Sequence, residues 1–157
     1  MKKLFGVFIL LIIVVLATAL TKDNTATMRS LQRLLHTPTV SVKGQTFNVI
    51  LAKTDAEKEK GLSGRSSLPK NEGMLFLFDK ADYYAFWMKD MLFPIDIIYI
   101  HDKQIITVYN NLQPPAKTAI NLQIVKPSEP ADTVLEINAG LAQQYHLQTG
   151  DIVTFSL

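Results

Sequence analysis

The 157-residue sequence contains no cysteine. That absence removes disulfides, thiol nucleophiles, thiolate metal sites and a lipid-bearing N-terminal cysteine together. Runs of one charge are also missing, since nowhere do five like charges stand in a row. The formal charge is +2, and with Lys2 and Lys3 set aside, residues 22–157 carry 14 basic and 14 acidic side chains. A balanced domain has no basic excess from which to build a phosphate-binding face, so nucleic acid is not expected as a partner. His36, His101 and His146 lie far apart and match no paired-ligand spacing, so neither a metal nor a cofactor is expected. A serine-hydrolase elbow also fails: in GLSGR, residues 61–65, Arg65 stands where the last glycine of G-x-S-x-G belongs.

What is present begins with MKKLFGVFILLIIVVLATAL, a basic start followed by an unbroken apolar run. Residues 1–21 read as a signal peptide, with Ala17-Thr18-Ala19 as the cleavage triplet, or as an uncleaved transmembrane anchor. Either outcome, with the lysines held in the cytoplasm, places the rest on the periplasmic or extracellular side. Residues 22–38 form a linker in which Met28, Leu31, Leu34 and Leu35 recur at helical spacing.

Residues 39–157 are expected to be a single strand-rich domain. Strands are expected at about 39–43 and 45–52 across Gly44, then at 73–78, 83–88, 94–100 and 104–109, with HDK as a hairpin turn. Between the first two and the rest, Thr54 and Glu57 have capping-box spacing and Gly61 suits a helix C-terminus. A proline-rich stretch follows with one strand near 120–125, then TVLEI, a short helix capped by Asn138, and a last strand in DIVTFSL. About eight short strands with two short helices predict a mainly β barrel or sandwich.

Two acids interrupt apolar strands. In PIDIIYI, Asp96 shares a strand face with Ile98 and Ile100; in TVLEI, Glu136 shares one with Val134. An ionised carboxylate among such neighbours costs several kcal/mol unless it is paired or hydrogen-bonded. Arg65 and Lys89 are the candidate cations, and the guanidinium fork of Arg65 is the better match for a carboxylate. Trp87 and Lys89 share a face of FWMK. The bland reading of these residues is turn chemistry for Asp96, a solvent edge for Glu136 and packing for Trp87.

In order along the chain, GLSGR, GMLF from Gly73, FWMK from Phe86, PIDI from Pro94, LEINAG from Leu135 and Gly150-Asp151 resemble the motifs of the domain of unknown function 192 family. The resemblance covers residues 47–156 and implies a compact, strand-rich domain, often behind a signal or membrane segment, with no established reaction. It also implies that Arg65, Trp87, Lys89, Asp96 and Glu136 belong to a shared polar cluster. Ser63-Gly64 and Asp90-Met91 depart from the family's usual loop and turn, which bears on ligand choice if they line a pocket.

Three functional readings follow. The first is a non-enzymatic extracytoplasmic binding or envelope-associated module, whose cluster contacts a small polar ligand, a glycan or an envelope protein. The second is a glycosidase-like hydrolase with Asp96 and Glu136 as a carboxylate pair, which requires them about 5 to 9.5 Å apart across one cleft. The third is a purely structural charge network that fixes residues 61–72 to the sheet.

Overall fold

The computed structural model describes residues 37–116 and 123–157. The apolar segment within residues 1–21 and the amphipathic stretch of the linker lie outside the described residues. Among those described, no helix is long and apolar enough to cross a membrane.

The described residues form nine strands and two short helices. Strands β1 (Thr39–Val42) and β2 (Gln45–Ala52) meet at Lys43 and Gly44, both at positive φ, the geometry that matches a two-residue hairpin to strand twist. Helix α1 (Asp55–Lys60) starts with a complete capping box: Thr54 Oγ1 accepts from Glu57 N, and Glu57 Oε2 accepts from Thr54 N at 2.9 Å. Strands β3 (Glu72–Asp82), β5 (Ile95–His101), β6 (Gln104–Leu112), β8 (Ala131–Asn138) and β9 (Val153–Ser156) complete the main sheet. Strands β4 (Phe86–Trp87) and β7 (Ile124–Val125) pair separately, and helix α2 (Leu141–Gln144) follows β8.

The seven-stranded sheet has the order β6-β5-β8-β3-β2-β1-β9. Only β2 and β3, joined over α1, run parallel; every other described pair is antiparallel. A bridge between Gln104 and Ile152, with Ile105 N donating to Asp151 O at 2.9 Å, brings the two edges together at one end. The sheet is thus a curled half-barrel. Each face buries its own core. Val40, Phe47, Leu75, Ile98, Leu135 and Leu141 fill one, and Phe76, Met88, Ile95, Ile97, Tyr99 and Val134 fill the other. Alternation along β5 and β8 sends neighbouring residues to different cores, which explains why both strands read as nearly continuous apolar runs. Gly73 permits the close packing of β3 on β8, because a Cβ there would stand 2.8 Å from the Glu136 carbonyl oxygen.

The mainly β expectation holds, with nine strands in place of about eight. Two local expectations do not. The 83–88 run yields only the two residues of β4, since its aromatic side chains pack across the sheet: the Phe86 ring stands edge-on to Phe76 at 4.9 Å and to Tyr99 at 5.8 Å. Asn138 does not cap α2. It is the last residue of β8 and donates to the carbonyls of Leu68 at 2.9 Å and Pro69 at 3.1 Å.

Candidate functional site

The N-terminus of α2 is satisfied from another strand. Asp96 Oδ2 accepts from Ala142 N at 2.8 Å, and Asp96 Oδ1 accepts from Gly140 N at 3.0 Å and from Asn111 N at 2.7 Å. The third bond follows from a bulge: Ile95 pairs with Leu112 but Ile97 with Tyr109, so β6 has one residue too many there. Asn111 takes positive φ within it and presents its N–H to Asp96. Asp96 is completely buried, and it fastens β5 to the bulge and to α2.

Glu136 is 5 % exposed and lies on the other face. Its register partner Ile97 belongs to the second core, whereas Ile137, opposite Asp96, belongs to the first. The two acids therefore point away from each other through the sheet, which removes the carboxylate-pair hydrolase. No described residue hydrogen-bonds the Glu136 carboxyl, and its Oε2 is buried without a partner. Burial pushes this carboxyl up to about 8, so at neutral pH it is mainly the neutral acid, able to donate one hydrogen bond.

Above Glu136 is a cavity of about 180 Å³. Phe76, Phe78, Tyr84, Phe86 and Trp87 line it with Leu62 and Met91, and Lys58, Glu59 and Lys60 of α1, with Gly61, Ser63 and Ala85, complete the lining. Phe76 and Phe78 reach it together because residues two apart share a strand face. Phe78 stacks on Tyr84 with centroids 3.6 Å apart, and Lys58 Nζ lies 4.7 Å from the Phe78 centroid. The small β4–β7 sheet is held over the main sheet by Tyr99, whose hydroxyl reaches the carbonyls of Tyr84 at 3.2 Å and Val125 at 3.1 Å. Burial first, then the neighbouring Tyr109 and Glu136, hold the Tyr99 hydroxyl above the ordinary phenol range. The other wall is tied down where Ser63 Oγ donates to Lys89 O at 2.9 Å and Gly64 N to Asp90 O at 2.9 Å.

The expected cluster is thus divided. Glu136 and Trp87, which is 51 % exposed, share the cavity. Lys89 is exposed in an adjoining depression with Trp87, and Arg65 is exposed in another with Lys60. Among the described residues no ion pair joins Arg65 or Lys89 to Asp96 or Glu136, so the expected guanidinium partner is replaced by backbone amides at Asp96 and by none at Glu136. The aromatic walls escaped sequence reasoning, although the alternation in GMLFLF signals the Phe76–Phe78 pair. A second cluster lies where the β5–β6 hairpin meets the start of β8, and there His101, Asp102 and Asp132 gather ligand-type atoms within 4.8 Å. Bonds between β8 and the hairpin turn account for it: Asp132 Oδ2 lies 3.0 Å from His101 Nδ1 and accepts from Asp102 N, and Oδ1 accepts from Thr133 Oγ1.

The motifs that converge here are family motifs. The pattern of DUF192, described as uncharacterized ACR, matches residues 38–155. The chain belongs to the DUF192 family. This DUF192 domain is similar to a crystal structure of a protein of unknown function from Novosphingobium aromaticivorans DSM 12444. Identity is 35 %, the TM-score is 0.68, and the match covers 74 % of this chain and 83 % of that one. It is also similar to a putative transcription regulator from Sinorhizobium meliloti 1021, at 30 % identity and a TM-score of 0.67, covering 75 % and 92 % of the two chains. No curated protein matches the chain. Within the DUF192 domain, GLSGR, GMLF, FWMK and LEINAG supply cavity residues, while PIDI supplies Asp96 on the opposite face.

Proposed function

We propose that this DUF192 domain is a non-enzymatic, extracytoplasmic binding module whose small ligand enters the aromatic cavity above Glu136. The observation that carries this reading is the buried, unpartnered Glu136 carboxyl at a ring-lined cavity whose charged residues, apart from Glu136, come from α1. Such a group lowers stability where it stands, and a ligand that completes its hydrogen bonds recovers that loss. The size is bounded too: a cavity of about 150 Å³ holds benzene, so this one admits roughly six to eight non-hydrogen atoms. A whole glycan is too large, although its terminal substituent is not. The extracytoplasmic assignment rests on the basic-then-apolar start of the sequence. The balanced charge of residues 22–157 favours a small ligand over a nucleic acid, whatever role the Sinorhizobium relative has.

The test is a fragment screen on the full chain, using small amines, acids, alcohols and amino acids and following backbone amide shifts by NMR. Saturable shifts clustered at Leu62, Phe76, Phe86 and Glu136 are expected. Saturable binding confined to other surfaces, or none from any class, overturns the assignment of the cavity.

A further inference from the structure

Resting on that reading of the cavity, we propose that its ligand is a short ω-amino carboxylate, bound with its ammonium at Glu136 and its carboxylate at Lys58 and Lys60. The polar inventory points this way. Glu136 Oε2 is buried with no partner, and once the carboxyl has lost its proton it is an acceptor that an ammonium, which carries donors and no acceptor, can meet. The hydroxyl protons in the lining are already used, Ser63 on Lys89 O and Tyr84 on Lys80 O, so neither donates to the Glu136 carboxyl. The walls between carry aromatic rings, whose faces attract cations, and the Phe78 ring already carries one in Lys58 Nζ at 4.7 Å. A simple alkylamine matches the acid but not the two lysines of α1, and a simple fatty acid matches the lysines but not the acid. A chain with opposite charges at its two ends meets both, and 5-aminopentanoate, with eight non-hydrogen atoms, fits the size limit of roughly six to eight.

Proton balance gives the proposal a signature. The unliganded Glu136 holds its proton until about pH 8 because it is buried, and an ammonium beside it favours the carboxylate. Binding at pH 6.5 therefore expels a proton from Glu136 to solvent, while the ligand keeps its own. Of the other titratable or charged groups, Tyr99 of β5 interacts with Glu136, and Tyr84 ahead of β4 and Lys58, Glu59 and Lys60 of α1 line the same cavity. None is an imidazole, the side chain that ordinarily titrates in this range.

The experiment is calorimetric titration of the full chain with 5-aminopentanoate, n-pentylammonium, pentanoate and 1-pentanol at pH 6.5 and 8.0. 5-Aminopentanoate is expected to bind at least tenfold more tightly than each of the other three. Its affinity should rise about tenfold from the lower to the higher pH, with a proton released at the lower. Glu136→Gln, checked for folding by circular dichroism, should weaken it at least tenfold, and Lys58→Ala with Lys60→Ala several-fold. Nα-acetyl-lysine, a C-terminal lysine mimic, separates sources: binding tighter than 5-aminopentanoate indicates a peptide end, and weaker binding a free amino acid. Equal binding of 1-pentanol or pentanoate, or affinity that falls with rising pH, overturns the amino-carboxylate assignment and leaves the binding module standing. Failure of all four to bind overturns it as well, and the fragment screen then decides the cavity. If Glu136→Gln fails to fold, the ligand comparison and pH arms on the unmodified chain still decide the outcome.

Discussion

Asp96 and Glu136 sit on neighbouring strands, one register step apart, with three backbone amides meeting the first and no described group meeting the second. Both are acids within apolar strands, and by sequence they are the same anomaly. The difference lies in what each face of the sheet offers. On the Asp96 side a bulge and a four-residue helix present N–H groups that need an acceptor, and one carboxyl serves them all. On the Glu136 side the neighbours are mostly aromatic, and no N–H or O–H of the described lining reaches its Oε2. A polar group that solves a local bonding deficit is explained by the fold. One that creates a deficit beside a cavity calls for a ligand.

Removing Asp96 is the largest break. Asp96→Ala leaves one buried and two partly buried amides without an acceptor, at about 1–3 kcal/mol for the buried one and less for each of the others, so a loss of about 3–5 kcal/mol is expected in urea denaturation. Glu136→Gln keeps the shape and removes the cost of holding a proton on a buried acid, so at neutral pH it should raise stability, by about 1–3 kcal/mol, rather than lower it. Equal losses in the two variants would erase the distinction.

The pH dependence sharpens it. Glu136 has a folded-state value of about 8, above the 4.5 of an ordinary glutamate, so the folded chain holds this proton where the unfolded chain has lost it. Its contribution is fully present below about pH 4.5, declines as pH rises, and is gone above about 8, with a slope of at most about 1.4 kcal/mol per pH unit. Urea midpoints measured from pH 5 to 9 should show that decline and then a plateau, and Glu136→Gln should lack this component. A decline of the same slope in the variant would place its origin in another group.

Most of the sheet was legible because strand alternation and hairpin chemistry are local. β2 matches its expected limits, and the Thr54–Glu57 capping box is formed. The acids were visible as anomalies for the same reason. Their partners were not, because backbone amides carry no sequence signal: the Asn111 and Ala142 donors depend on a bulge and a helix start brought to β5 by folding. Arg65 looked like the natural partner on charge alone, but the tie between Gly64 and Asp90 holds its loop on the outer side of the cavity wall, where the guanidinium is exposed. The cavity itself required β4 to leave the main sheet. Phe86 and Tyr99 decide that by packing between residues 13 apart in sequence, beyond any pattern of alternation.

The smallest effect on stability is expected at Trp87, half exposed at the end of β4 and paired with Ile124. Little area is lost with an indole that already faces water, so Trp87→Ala should lower stability by no more than about 1 kcal/mol. The same change removes one ring from the cavity lining. Calorimetry with 5-aminopentanoate should therefore show several-fold weaker binding, although the variant unfolds at nearly the same urea concentration. That separation of binding from stability is what a cavity wall predicts and a packing residue does not. A Trp87→Ala chain that loses both in proportion assigns the indole to the second core, and with it the reason for FWMK to end in the open.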